Sequence, residues 1–396
     1  GGAALAACAS PQDKGAGKMT AAAGADTRLY DAIVPFDGHR QAGISTPAQA
    51  NLNLVGFNLV DGVDKGAVAR LMTSWTEDSR RLCTGETPLG SLEPELVVAP
   101  SNLTITCGFG PRVFEVIDAV DKRPEWLQPL PEYKLDELED RWGQTDLVIQ
   151  VCSDDPIMLA HATRHLVRSG MDYARVFWMQ QGFLRADGAH KPGETPRNLF
   201  GQVDGTVNPR SNEEFDEQVW IEDDVPEWMR GSTSLVARRI NMNMDTWEML
   251  DRPSREEAMG RKLDTGAPLT GEDEFDEPDY SATDKFGLPV IDQQSHIFRA
   301  KPAEGHPEQR IKRRAYNYDI APEPGSEQLS NSGLVFLCYQ KDPVLQYHPI
   351  QKRLDEADRL NEWITHIGSA VYWIPPGTSE DGSTGDAYWG QRLLEA

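Results

Sequence analysis

Positive charge is in short supply in this sequence. Lys and Arg number 39 against 63 Asp and Glu, a formal net charge of −24 over 396 residues. A phosphate backbone is bound through a basic surface, so nucleic acid is excluded as a partner. Cysteine is also scarce: there are five, with no CxxC pair and no Cys/His zinc spacing. That removes zinc modules and thiol-redox motifs. Cys107, Cys152 and Cys338 sit in apolar, strand-like runs and read as buried free thiols. Cys83 lies near a helix end, where pairing with Cys107 stays open. No apolar run after the first residues is long enough to span a bilayer, and no heptad array or short repeat is visible.

What is present is an ordinary globular balance, 39% hydrophobic and 26% charged, enough for one large domain or two of usual size. Small apolar residues precede a lone cysteine in Leu5-Ala6-Ala7-Cys8. This reads as the tail of a secretory signal and resembles a bacterial lipobox. Export is the expectation, to the periplasm, the medium or the cell surface, with Cys8 as a lipid anchor. Residues 9–27 are polar and rich in Gly and Ala, so residues 1–27 form a signal remnant and linker.

The remainder divides into two similar halves. Leu52–Val60 reads as a strand and Lys65–Leu82 as an amphipathic helix with Val68, Leu71, Met72 and Trp75 on one face. Strands at Leu103–Phe109 and Asp146–Cys152, a helix at Pro156–Ser169 and a strand at Val176–Phe183 complete two β-α-β units. That order is ferredoxin-like. Leu235–Met244 (strand), Asp245–Asp251 (helix), Gly333–Gln340 (strand), Pro349–Ile367 (helix) and Ser369–Ile374 (strand) repeat it more loosely, around an acidic, Gly/Pro-rich insertion at about 252–289. The predicted fold class is α+β: two ferredoxin-like halves, each an antiparallel sheet packed with helices. The N-terminal domain covers 28–205 and the C-terminal domain 206–396.

Three stretches carry candidate chemistry. Gly201-Gln202-Val203-Asp204-Gly205-Thr206 holds one acid between glycines. By itself this marks a turn. Ser295-His296-Ile297 offers an imidazole between a polar turn and a mixed run, and Arg313-Arg314 offers a fixed cation. Acid, axial base and cation together are the parts a haem peroxidase needs. His161 and His165 share a helix face but have no third ligand at a recognisable spacing. His366 is read as ending a helix, and His39, His190, His306 and His348 lie in polar loops. Acidic runs such as 213–217 and 272–277 read as solvated loops.

Other stretches fall in a recognisable order. They are Gly38-His39-Arg40-Gln41-Ala42-Gly43, Ser101-Asn102-Leu103-Thr104-Ile105-Thr106-Cys107-Gly108-Phe109-Gly110-Pro111 and Asn198-Leu199-Phe200-Gly201-Gln202-Val203-Asp204-Gly205-Thr206. Asp264-Thr265-Gly266-Ala267-Pro268-Leu269, Ser295-His296-Ile297, Arg313-Arg314-Ala315-Tyr316-Asn317-Tyr318 and Asn361-Glu362-Trp363 follow. In this series the chain resembles the dye-decolourising peroxidases, of the exported bacterial type that includes iron-uptake-associated members. The resemblance implies one haem b per chain, held in the C-terminal half, with hydrogen peroxide and organic reductants as partners. It implies His296 as proximal iron ligand and Asp204 and Arg313 as the distal acid and cation, with Arg314 as the alternative should the register differ by one. Gly205 and Thr206 would lie at the haem edge, and Asn208 and Asn317 beside the distal pocket. Arg299, or Arg238-Arg239, would anchor a propionate. Glu362, or else Asp358, would accept the other ring N–H of His296. Family members form dimers or larger assemblies, so a homo-oligomer is expected. An iron- or haem-handling protein, or a non-catalytic acidic binding protein, are the alternatives.

Overall fold

The computed structural model describes residues 28–396. The stretch around Cys8 and the linker lie outside the described residues. The first half runs β1 (Asn51–Leu59), α1 (Lys65–Cys83), β2 (Thr104–Phe109), β3 (Leu147–Ser153), α2 (Pro156–Ser169) and β4 (Ala174–Phe183). Helix α1 begins where Asp64 accepts the Ala67 N–H at 2.9 Å, and Val68, Leu71, Met72 and Trp75 bury its apolar stripe. Helix α2 begins on Pro156, whose missing N–H has no helical acceptor at that position, and Asp155 caps the next two amides. The strands pair antiparallel in the order β2-β3-β1-β4.

The second half runs β5 (Thr233–Met242), α3 (Arg252–Met259), α4 (His296–Ala300), β6 (Lys312–Arg313), β7 (Tyr316–Ile320), β8 (Asn331–Gln340), α5 (Tyr347–Ala357) and β9 (Ile364–Ile374). Its order is β9-β5-β8, with β6 and β7 as two pieces of one strand on the far side of β8. Each half therefore has the ferredoxin-like order. Single bridges at Phe109–Trp373 and Phe183–Asn317 join the halves. The sheet thereby closes into a ring.

Strand alternation divides the core in two. Val335, Leu337 and Tyr339 of β8 belong to one cluster with Leu52, Leu54, Trp178 and Tyr372, inside the ring. Leu334, Phe336 and Cys338 belong to the other, under the helices. Among the described residues no helix is long and apolar enough to cross a membrane.

Three sequence expectations need correction. The helix expected over Pro349–Ile367 stops at Ala357, because Asp358 opens a separate short turn over Arg359–Glu362. The β-branched residues from Ile364 then pair with β5, Ile364 opposite Met242. Strand β6/β7 was not anticipated, since only Tyr316 and Tyr318 alternate there and a long insertion precedes them. The insertion is not only solvated loop: it contains α3, and the acidic run reaches back to the Asp204 loop, where Glu274 accepts the Thr206 hydroxyl at 2.8 Å. Cys83, Cys107, Cys152 and Cys338 are buried and unpaired, so no Cys83–Cys107 disulfide forms.

Candidate active site

The Asp204 loop is a tight hairpin between β4 and β5. The Asp204 N–H donates to the Pro196 carbonyl at 2.8 Å, and Arg197 bridges Val203. The Arg197 guanidinium sits beneath it, donating to the carbonyls of Gly201 (2.7 Å), Leu263 (2.5 Å) and Asp264 (2.8 Å). Gly205 has φ +117°, a backbone conformation that side chains disfavour, which explains a glycine directly after the acid.

Arg313 comes to Asp204 from strand β6. Its Nη2 donates to Asp204 Oδ1, and its guanidinium also lies over the Phe336 ring at 5.6 Å. Asp204 Oδ2 receives only a long 3.5 Å contact from Asn198 Nδ2. The Asn208 amide holds Arg313 by its backbone, accepting from its N–H (2.8 Å) and donating to its carbonyl (2.9 Å). Arg314 has the opposite fate: it is buried, donating to the Thr46 carbonyl at 2.6 Å and to Gln49. Neighbouring residues of an extended chain point to opposite faces, so only one arginine of the pair reaches Asp204, and it is Arg313.

His296 opens helix α4. Its Nδ1 lies 2.7 Å from Asp358 Oδ2, a carboxylate only 1% exposed. Asp358 Oδ1 accepts the Leu360 N–H at 3.0 Å, so both carboxylate oxygens are engaged and the ring orientation is fixed. No hydrogen bond engages His296 Nε2 among the described residues. A carboxylate on one ring nitrogen raises the basicity of the other, the usual support of an imidazole that ligates metal.

The two pairs face one space. A cavity of about 110 Å³ is lined by His296 and Asp358, by Asp204 and Arg313, and by an apolar wall that includes Ile240, Met242, Phe336 and Leu354. A second cavity of about 590 Å³ shares Asn198, Asp204, Arg313 and Leu334 with the first and carries Gly205, Asn208 and Asn317 on its wall. The acid–cation pair thus stands where the two meet.

Three residues of the expected site, and the alternative pair Arg238-Arg239, line neither cavity. Glu362 is exposed and lines neither cavity; Asp358 takes the contact expected of it. Arg299 turns toward the Arg353 carbonyl (3.2 Å) and Glu356 (3.6 Å). Thr206 is held by Glu274 and lines neither cavity. Arg238 is buried against Asp136 at 2.6 Å, and Arg239 lies between the Trp142 and Tyr318 rings. Sequence reasoning missed Arg197, Asn198 and the wall residues Gln202, Tyr347 and His366. Asn198 and Gln202 lie inside the recognised motif, which was the available signal. His366 is in β9, not at a helix end; burial and the neighbouring Arg238 push its pKa well down, leaving a neutral ring on the cavity wall.

Lys312, on the wall of the larger cavity, carries a testable electrostatic cost. Burial and nearby Arg314 lower its pKa from 10.5 to about 8. The unfolded chain then holds more protons than the folded one between these values, so this group destabilises most below the folded pKa and ceases to do so above the unfolded one. Lys312→Met is expected to raise stability at about pH 7 and to lose that advantage by about pH 10.5, read as the wild-type-to-variant difference in urea unfolding. A difference independent of pH would refute the assignment.

A ring of two ferredoxin-like halves, with a carboxylate-supported histidine facing an acid–arginine pair across an apolar cavity, defines a haem-enzyme architecture. Comparison with known proteins places it. Residues 41–184 match the model of the Dyp-type peroxidase N-terminal region, and residues 195–379 that of the C-terminal region. The chain belongs to the Dyp-type peroxidase family. It is 37% identical over 369 residues to the dye-decolorizing peroxidase of Thermobifida fusca (strain YX), covering 90% of this chain and 84% of that one. It is 33% identical over 377 residues to a deferrochelatase of Escherichia coli (strain K12), covering 91% and 87%. The crystal structure of a DyP-type peroxidase from Cellulomonas bogoriensis superposes with a TM-score of 0.88 at 47% identity, covering 93% of this chain and 99% of that one.

The protein is therefore a haem peroxidase, and two polar groups on the cavity wall suit a bound cofactor. The wall of the cavity that His296 lines carries two buried donors without protein partners, Gln202 Nε2 and Tyr347 Oη. Buried donors left unpaired are costly, so a polar ligand in this cavity is the simplest reason to keep them.

Proposed function

We propose that the chain reduces hydrogen peroxide at the Asp204–Arg313 pair and oxidises phenols, dyes or similar organic donors by one-electron steps. His296 would hold the haem iron and Asp358 would hold His296. The bound haem supplies the two-electron redox chemistry. Peroxide would enter through the larger cavity, which meets the smaller one at Asp204 and Arg313. Asp204 Oδ2 is the base: Oδ1 is engaged by Arg313, whereas Oδ2 has only the long Asn198 contact. It takes the proton from one peroxide oxygen and returns it to the other, as general acid–base catalysis requires. Arg313 stays charged and presents fixed donors to the negative charge that develops as the O–O bond breaks.

The observation that carries this reading is the placing of His296–Asp358 and Asp204–Arg313 on the wall of one cavity. The test is direct. Haem-loaded protein should show a Soret band and turn over peroxide with a small phenol; a Soret band without turnover would sink the reading. A second reading, removal of iron from haem, is favoured by the 33% identity to a protein named deferrochelatase. It requires release of metal-free porphyrin, detectable by fluorescence, and makes its main demand on His296 rather than Asp204. Export with lipid on Cys8 belongs to the proposal and rests on the residues before Cys8 alone.

A further inference from the structure

We propose that the larger cavity binds small aromatic carboxylates, and that phenols bearing a carboxylate are donors held there by Lys312. This deepens the peroxidase reading and rests on it. The first observation is positive charge without compensation. Lys312 and Arg314 both line this cavity, and neither pairs with a carboxylate among the described residues. Arg314 is buried, donates to the Thr46 carbonyl (2.6 Å) and to Gln49, and leaves Nε without a partner. Lys312 Nζ has only the Phe215 ring, its centroid 6.0 Å away. A buried cation without a counter-charge is costly. In a chain with 63 acidic residues against 39 basic ones, acids to pair with them are not scarce. A site that receives an anion is a reason to keep such a cost.

The acids on the same wall do not supply the missing charge, because each is engaged elsewhere. Asp154 accepts the Ala50 N–H (2.8 Å) and the Asn102 amide (2.9 Å), and Glu194 accepts the Lys191 N–H (3.0 Å). Asp204 meets Arg313, and Asp187 is not free either. Arg210, exposed on this wall, adds a third cation: its guanidinium lies over the Phe275 ring at 3.9 Å and pairs with no acid among the described residues. Neither Lys312 nor Arg314 lines the cavity that His296 lines. That favours a free ligand over the cofactor's own carboxylates as the counter-charge. On a chain of net charge −24 an anion gains nothing from the overall field, so a preference for anions must come from the cavity itself.

Size and lining point to an organic anion. Peroxide has two heavy atoms, whereas a cavity of about 590 Å³ falls within the usual range for small organic ligands, about 300–1,000 Å³. Val34, Pro47, Leu184 and Leu334 give its wall an apolar part on which an aromatic ring can rest. Arg313 stands between Lys312 and Arg314 in sequence and lines both cavities. A carboxylate held at Lys312 therefore leaves the rest of the ligand on the same wall as the Asp204–Arg313 pair. The reaction balances: one peroxide and two phenols give two waters and two phenoxyl radicals. Each phenol loses one electron and its hydroxyl proton. The electrons reduce the enzyme that peroxide has oxidised, and the two protons form water with the remaining peroxide oxygen. The carboxylate is unchanged and serves recognition alone.

The test uses the full haem-loaded chain with hydrogen peroxide and two donors that share one phenol, para-hydroxyphenylpropionate and its amide. The ratio of kcat/KM for the acid to that for the amide should fall about tenfold in Lys312→Met, the worth of one hydrogen bond to a charged group. Lys312→Arg, which keeps the charge, should keep the preference. Phenylpropionate, which has the carboxylate but no phenol, should compete with the acid, and inorganic phosphate at the same concentration should not. A Soret titration of the Lys312→Met apoprotein reads the rival source of the anion. Weakened haem binding with an unchanged donor ratio would assign Lys312 to a carboxylate of the cofactor and overturn the site. A ratio unchanged in Lys312→Met, or lost as fully in Lys312→Arg, overturns it as well, as does equal competition by phosphate; all three leave the peroxidase reading intact. A parent with no Soret band or no peroxide turnover overturns both.

Discussion

Asp204→Asn is expected to lower kcat/KM for hydrogen peroxide by about 10²- to 10⁴-fold, the usual worth of a positioned acid–base group. The Soret band should remain, because the substitution touches neither His296 nor Asp358. The amide keeps the size of the carboxylate and an oxygen that can accept from Arg313, so the hairpin held by Arg197 should persist. What it loses is the capacity of Oδ2 to carry a proton. Arg313→Leu is the natural companion, since it removes the fixed donors and should cost about 10²- to 10³-fold by loss of electrostatic stabilisation. The two residues are in direct contact, so their effects should be less than additive in the double variant. Stopped-flow measurement of the peroxide reaction checks all three. A loss below tenfold for Asp204→Asn would mean that Arg313 alone activates peroxide.

That a single carboxylate oxygen can be singled out shows what folding adds to the motif. The sequence marks the loop: an acid between glycines, with Gly205 in a conformation suited to glycine, is readable in one dimension. It also marks the two halves, because α1 and α2 carry clear apolar stripes and caps. The partner of Asp204 is less readable. Arg313 and Arg314 are adjacent and chemically identical, and only the direction of β6 decides that one meets Asp204 and the other meets Thr46 and Gln49. Strand β6 is two residues long and follows a long insertion, so its periodicity is too short to be seen.

The support of His296 shows the same limit. Glu362 looked suitable because it sits in a recognised stretch and was expected on a continuous helix before Gly368. The helix ends at Ala357, and the break turns Asp358 inward and Glu362 outward. Which acid meets a histidine 62 residues earlier depends on where a helix stops, and helix ends are weakly encoded. Arg299 and Thr206 stay off the cavity walls for a related reason. Both have the right chemistry near the site, but each finds a closer partner, the Arg353 carbonyl with Glu356 in one case and Glu274 in the other. Local composition does not specify such competition.

His296→Ala is expected to abolish the Soret band of the reconstituted protein, and Asp358→Asn to weaken haem binding by about 10- to 100-fold, the usual cost of losing the partner of a metal-bound histidine. Asparagine is the discriminating replacement. Asp358 also accepts the Leu360 N–H and opens the short turn over Arg359–Glu362. Asparagine caps about as well as aspartate, so the turn should survive while the charge facing Nδ1 is lost. The loss should then appear in haem titrations of the apoprotein rather than in thermal stability. Glu362→Gln is the matched control: the side chain is exposed and lines neither cavity, so its titration curve should overlay that of the parent. Were Glu362→Gln to weaken binding while Asp358→Asn did not, the carboxylate 2.7 Å from Nδ1 would not be the one that sets the basicity of His296.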